Sequence, residues 1–577
     1  MERKAYLIDK SFRFHMGASI MTMTAMNLNS IIDGILMGRL LGSDAFSAIN
    51  VVLPIVNCIS AIGILLSQGA AMKIAKFLGA MDKKKANEVF TVSMISMLIV
   101  GIALSSIAAM TGIAQPIVGK LCVAKNLYDM AEKYAAVLMM GAILLIFENG
   151  TSMLVDVMGN PRIVTVGTIV KTGTNILFDI LNIKVFGMDI KGAALATLFG
   201  SLAGNAIYLY YIYKKSGMRM TLCPTWAADF ASGLAHSLPG FLGQLASVAL
   251  MFICNYYIMA NQGADGMFVM SIGYTIVSIG SIISNGVGMS YAAIGGMLLG
   301  QEDDYGMCVL FKRGFFVTIL TPAIFCIGGL FGKQLALMFG ADTAEKIALA
   351  GEKIPMICIL LFSLGIISSM VYLHTVLGHQ TISSVNTLLI LLSIVASFAN
   401  TEHFLSPDKI WLAFPLTTIL SLLTFFADTT VIFLKSKGQL RLISLIPRTS
   451  PVAKKFDISI KCNMNDKAEA IEYLIGFLNE YDTGDFQSSI IHCLDELMMN
   501  IVSYSGCKDD AYMDLTVMIH ENKVTASLRN AGVPFDPVSF SEKKRKTGLK
   551  LVFHYCDNLE YRYSFGQNMI FVSWNNP

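Results

Sequence analysis

The feature that most constrains this chain is an apolar run of spanning length that keeps returning. Stretches such as VSMISMLIVGIALSSIAAM (residues 92–110) and VNTLLILLSIVASFA (residues 385–399) recur about twelve times before residue 436, separated by short polar connectors. A bilayer core takes roughly 20 apolar residues per helix. Beyond about residue 448 the charge density rises and no run is long enough to span. Over the whole chain 14% of residues are charged, against about 25% in an average soluble domain, and the deficit lies in the first part. The pattern predicts a polytopic α-helical membrane protein followed by a soluble tail.

Helices are expected at about 13–40, 46–76, 88–115, 131–157, 162–185, 191–214, 232–262, 267–299, 309–332, 351–376, 382–401 and 409–435. In this twelve-helix count the connectors GAMDKKKAN, GNPR, YKKSGMRM and KSKGQLR, which hold most of the loop Lys and Arg, fall on one side. That side is cytoplasmic by the positive-inside rule, so both termini are expected there, in a multi-pass protein of the cell membrane. The charged start MERKAYLIDK lacks a small-residue cleavage site and reads as a lead-in to the first helix. The eleven cysteines form no CxxC pair and no zinc spacing, so reduced thiols are expected. A net charge of +3 gives no reason to expect nucleic acid as a partner.

The two halves echo each other. Gly42 and Gly263 lie 221 residues apart, the same shift carries Gly79 and Asp82 onto Gly300 and Asp303, and Gly159 and Gly378 are separated by 219. Three loop landmarks at nearly one offset predict two parallel six-helix repeats with a solute path between them. Residues 1–220 would form the first lobe, 221–440 the second, 441–452 a linker and 453–577 the tail.

Charge inside a membrane costs about 2.5–3.5 kcal/mol even on lenient scales, which makes each such residue a functional candidate. Asp33, Glu148, Asp156 and Asp179 qualify, and Asn175 precedes Asp179 by one helical turn. Asp156, near a helix end, is expected to reach water; Glu148 lies deeper, facing a cavity or paired locally. Gln244 and Asn255 are the polar residues of the seventh helix and, with Glu148, the candidates for a substrate cavity.

IIDGILMGRLLGSDAFSAINVVLPI, GAMDKKKAN, VMGNPR and NILFDI followed by GMDIKGAALAT resemble successive signatures of the multidrug and toxin extrusion (MATE) transporters, a likeness running over about residues 10–440. The resemblance implies two six-helix lobes and export of small organic solutes across the bilayer against H⁺ or Na⁺. It also implies a first-lobe cation site, for which Asp33, Asn175, Asp179 and Thr197 occupy the matching positions. Two carboxylates, an amide oxygen and a hydroxyl suit Na⁺, or a proton shared between like charges. Two departures stand out: the first helix has no proline, whereas its repeat mate keeps Pro239, and the seventh helix has no acid. The cation site is therefore expected in the first lobe. No P-loop is present, so ATP is not expected to drive transport.

The tail reads strand, helix, helix, strand, strand, basic loop, helix, strand, strand, in a compact α/β module of about 125 residues. That order resembles the GHKL-type ATP-binding sandwich, most closely its anti-sigma-factor serine kinase branch. DELMMN resembles the N-box, which implies Glu496 as the group polarising a nucleophile and Asn500 as a Mg²⁺ ligand. RNAGVPFDP and KTGLKLV resemble the two glycine boxes, which implies Asn530, Gly532, Lys546 and Gly548 around Mg-ATP. Asn530 replaces the usual Asp and Lys546 the usual glycine, so the tail reads as an eroded kinase or ATPase serving regulation rather than transport energy. Two other readings stay open: a membrane sensor whose tail acts on a soluble signalling partner, and a lipid-linked sugar flippase.

Overall fold

A computed structural model describes residues 2–41, 43–121, 125–221, 223–339, 341, 343–404, 407–448, 454–481, 486–506, 511–520, 523–537 and 552–575. The first lobe contains α1 (Tyr6–Leu40), α2 (Ser43–Gly79), α3 (Lys83–Thr111), α4 (Ala114–Leu121), α5 (Lys125–Met140), α6 (Ala142–Val157), α7 (Pro161–Ile180) and α8 (Ile190–Lys214). The second contains α9 (Trp226–Ser290), α10 (Gly296–Gly300), α11 (Asp304–Gly329), α12 (Gly332–Met338), α13 (Ala344–Val376), α14 (Gln380–Phe404) and α15 (Ala413–Lys435). Gly263, in the left-handed region at φ +61°, breaks α9 into two spans.

Among the described residues ten helices are long and apolar enough to cross a membrane, or eleven if α5 and α6, bent by 58°, form one span. Twelve were expected. The 35-residue α1 is not in that set, and Asn27, Asn29 and Asp33 dilute its apolar run. The helix predicted at 131–157 is instead the bent pair α5–α6. Apolar side chains such as Ile99, Met110 and Leu330 stand exposed on the outer surface, as lipid-facing positions do.

The repeat is visible in the backbone. Met81 and Glu302, 221 residues apart, both take left-handed φ values, +62° and +54°. The next residue in each loop caps a helix: the Asp82 carboxylate accepts from Lys85 N at 3.0 Å, and that of Asp303 from Gly306 N at 2.8 Å. Gly159 and Gly378 share φ of +96° and +89°, which an L side chain rarely adopts. Gly42 lies outside the described residues.

The lobes meet near these loops. A Cβ on Gly79 would stand 2.2 Å from the Met297 carbonyl oxygen, and one on Gly300 2.0 Å from that of Lys76, so only glycine permits this helix contact. Further along α2, Gly69 N donates to Ser237 Oγ at 2.7 Å and Lys73 Nζ to Ser232 Oγ at 2.8 Å.

The tail holds β1 (Lys455–Lys461), α16 (Met464–Asn479), α17 (Phe486–Tyr504), β2 (Tyr512–Ile519), β3 (Lys523–Asn530), β4 (Asn558–Ser564) and β5 (Gln567–Asn575). The five strands form one antiparallel sheet in the order β1-β2-β3-β5-β4. Strand side chains alternate between faces. Ile458, Leu515, Leu528 and Val572 join α16 and α17 in the tail's own core. The opposite face is mostly polar, yet Ser459, Asp514, Thr516, Arg529 and Met569 on it are buried, because there it lies against the membrane lobes. Residues 437–448 are also ordered against the second lobe: Leu445 and Ile446 are buried, and the His374 ring hydrogen-bonds to the Ile443 carbonyl at 2.9 Å.

Candidate functional site

The first-lobe cluster assembles from four helices. On α7, Asn175 and Asp179 lie one turn apart and are both buried, Asp179 completely. Asp33 of α1 and Asp179 face each other. Thr197 of α8 gives its hydroxyl proton to Ala193 O at 3.2 Å and lies beside Tyr134 of α5. The structure therefore brings all four predicted residues to one place and adds Tyr134, a buried phenol within Coulombic reach of both acids. In the sequence Tyr134 was one of 20 tyrosines with no motif around it.

Among the described residues no well-aligned hydrogen bond reaches either Asp179 carboxylate oxygen or the Asn175 amide nitrogen. Burying an unpaired ionised carboxylate costs several kcal/mol. A proton on the pair, or a small hard cation among these oxygens, removes that cost, and the donor set fits either.

Between the lobes lies a cavity of about 510 Å³, with Met26, Gln68, Glu148, Gln244, Met289 and Tyr372 among its lining residues. Gln244 and Glu148 are thus where the sequence suggested, but Glu148 is not a free charge. Lys171 Nζ donates to its Oε2 at 2.6 Å and Ser201 Oγ at 3.2 Å. Asn255 is not among the lining residues; its Oδ1 is buried with no hydrogen-bond partner among the described residues. Asp156 does not reach water as expected. It is buried in the cavity wall and pairs with His15 Nε2 at 3.1 Å, while His15 Nδ1 lies 3.0 Å from Ser290 Oγ of the second lobe.

In the tail, Glu496 and Asn500 share a face of α17, and Asn500 Nδ2 donates to Glu496 Oε1 at 3.2 Å. Asn530 ends β3 and is buried on the helix side of the sheet. Gly532 has a structural task that the sequence did not disclose. A Cβ there would lie 2.2 Å from the Ser505 carbonyl oxygen, which accepts from Val533 N at 2.8 Å, so the turn is fastened to the end of α17. Asn568 braces the same turn, accepting from Phe535 N and donating to Val533 O, each at 2.9 Å. Lys546 and Gly548 lie outside the described residues.

Residues 18–181, the stretch from α1 to α7, match the MatE family model. The multidrug export protein MepA of Staphylococcus aureus is 24% identical over 370 residues, covering 60% of this chain and 80% of that protein. A MOP superfamily transporter from Pyrococcus furiosus, described as having a binding pocket of reversed polarity, superposes with a TM-score of 0.65 at 20% identity over 74% of this chain and 96% of its own. An outward-facing multidrug-resistance MATE transporter gives 0.66 at 19% identity over 75% and 98%. The multi-pass membrane part has the fold of the MATE transporters.

Proposed function

We propose that this protein, a membrane chain with a MATE-type first lobe, exports organic compounds, cationic or amphipathic, in exchange for H⁺ or Na⁺. The observation that carries the reading is the facing pair of acids, Asp33 and Asp179, inside the first lobe beside Asn175, Thr197 and Tyr134. Such a pair holds its charge poorly and takes up a cation readily. A proton moving down roughly 100 mV and one pH unit releases about 2.3 and 1.4 kcal/mol, which sustains a several-hundred-fold gradient of a neutral solute. The Met-rich cavity supplies an adaptable apolar wall. Both termini and the tail would be cytoplasmic, and the twelve-helix, two-lobe division would hold with α1 as a polar span.

Ion-coupled ethidium flux in proteoliposomes tests the reading, with wild type compared against Asp33→Asn and Asp179→Asn. Coupled exchange should vanish in both variants. Equal, cation-independent flux in all three proteins would sink it.

For the tail, the shared face of Glu496 and Asn500 next to the braced turn supports a nucleotide site of the GHKL type, with Asn500 as the Mg²⁺ ligand. Mg-ATP binding should disappear in Asn500→Ala; equal affinity in both proteins would make the tail a scaffold without nucleotide.

A further inference from the structure

The polar face of the tail sheet touches both lobes through one row of cross-strand neighbours. Ser459, Asp514, Arg529, Met569 and Arg562 are successive partners across β1, β2, β3, β5 and β4. Arg529 reaches the second lobe. It donates to Gln301 Oε1 at 3.0 Å and pairs with Asp303, in the loop that follows α10. Arg562 reaches the first lobe, donating to the Met158 carbonyl at 3.0 Å. Beside it Phe565 N donates to Gly159 O at 2.9 Å, and the buried Phe565 side chain joins the apolar core of the membrane part. Two strand spacings, about 10 Å, separate the Arg529 and Arg562 strands.

The tail engages the two members of each loop pair unequally. A Cβ on Gly159 would stand 2.6 Å from Ser564 Cβ, whereas Gly378 has open space around it. Asp303 is buried under Arg529 and Arg3, whereas its mate Asp82 pairs with exposed Lys85. On the first-lobe side Lys83 Nζ also lies 3.1 Å from Glu560 Oε2.

We propose that the C-terminal module is an intramolecular clamp: its sheet bridges the Gly159 loop of one lobe and the Asp303 loop of the other, and so holds the lobes shut on the tail side. The inference rests on the exporter reading, in which the lobes must part on that side to admit cargo. A rigid sheet cannot follow two loops that separate, so cargo loading requires one end of the clamp to let go. The linker at 437–448 is fastened to the second lobe by buried Ser444, Leu445 and Ile446 and by the His374 ring on Ile443 O, and so keeps the tail with that lobe. The releasing contacts are therefore the first-lobe ones, at Met158, Gly159 and Lys83 together with those the start of α1 makes, Lys4 N to Ser459 Oγ at 2.8 Å and Ser11 Oγ to Phe565 O at 3.1 Å.

The test uses the full chain in liposomes, with spin labels carried by an unnatural amino acid at exposed Lys84 and Lys312, one on each lobe. Wild type should give one narrow distance. Arg562→Ala, Lys83→Glu and Gly159→Ala should each add a longer population and raise ethidium exchange severalfold. Gly378→Ala is the control, since it carries the same left-handed backbone penalty with no tail above it. A disulfide joining Lys83→Cys and Glu560→Cys should suppress exchange until reduced. Distances unchanged in all three release variants, or widened equally by Gly378→Ala, would overturn the clamp. If distances widen in the release variants while no protein exchanges ethidium, the clamp stands and the exporter reading falls.

Discussion

Lys171 and Glu148 show how a single residue changes its meaning once its neighbour is known. In the sequence Glu148 is a lone acid in an apolar helix, a natural attractor for a cationic solute. In the fold Lys171, 23 positions later, cancels it at 2.6 Å. Removing one partner of a buried ion pair costs about 3–5 kcal/mol, whereas replacing both with apolar groups is often neutral. Lys171→Met should therefore lower the thermal unfolding temperature of the detergent-solubilised protein sharply. Glu148→Leu combined with Lys171→Met should recover most of the loss. Equal melting of the single variant and wild type would show that the pair does not carry this energy. Gly532→Ala belongs at the same scale: its methyl group would enter the Ser505 carbonyl, so the tail should lose about 1–3 kcal/mol, read by denaturant unfolding of Trp574 fluorescence in the full chain. Both cases, like Tyr134, were illegible beforehand because each depends on a partner from another helix or turn. Asp33, Asn175 and Asp179 stood out because membrane burial makes polar residues rare enough to notice, whereas Thr197 came only with the family resemblance.

At the scale of elements the sequence was a better guide, since helices and strands answer to local rules. Apolar runs became helices, alternation in the tail became strands, and the 221-residue shift became two loops with matching left-handed residues and caps. What local rules did not supply is the unequal use of those matching loops. Asp82 is a half-exposed cap, and losing a cap costs about 1 kcal/mol. Asp303 caps α11 and also neutralises Arg3 and Arg529, both buried. Asp82→Ala should lower stability by about 1 kcal/mol, while Asp303→Ala should cost more, up to about 3–5 kcal/mol, by removing a carboxylate that two buried guanidinium groups share. Thermal unfolding of the two variants side by side decides the point. Equal losses would mean that Asp303 serves only as a cap, and that the tail contact adds nothing to it.

For the molecule as a whole, the polar face of the tail sheet was the hardest part to read. Alternation of Asp457, Ser459, Asp514 and Thr516 with apolar residues ordinarily marks a strand wet on one side. Here that side is covered by residues more than 150 positions away, and Arg3 joins it from the other end of the chain. The burial has a consequence for pH. Desolvation pushes the Asp514 carboxyl up to about 7, against the pull of Arg3 and of the Ser459 hydroxyl, while Asp303 and Asp457 push it higher. Arg529 stands 3.7 Å away, and Tyr305 flanks the same cluster. Burial raises Asp457 as well. An acid whose pKa is raised on docking takes up a proton as the tail docks, so docking strengthens as pH falls and weakens as pH rises towards about 7. One such group changes the docking equilibrium by up to about tenfold per pH unit between its ordinary value near 4 and the raised one. Hydrogen exchange of β4 and β5 in the full-length protein should therefore be slower at pH 5.5 than at pH 7.5 once corrected for intrinsic rates. Asp514→Asn, which keeps the hydrogen-bonding shape and removes the titration, should flatten that difference. Faster corrected exchange at the lower pH would reverse the sign and place the controlling proton on another group.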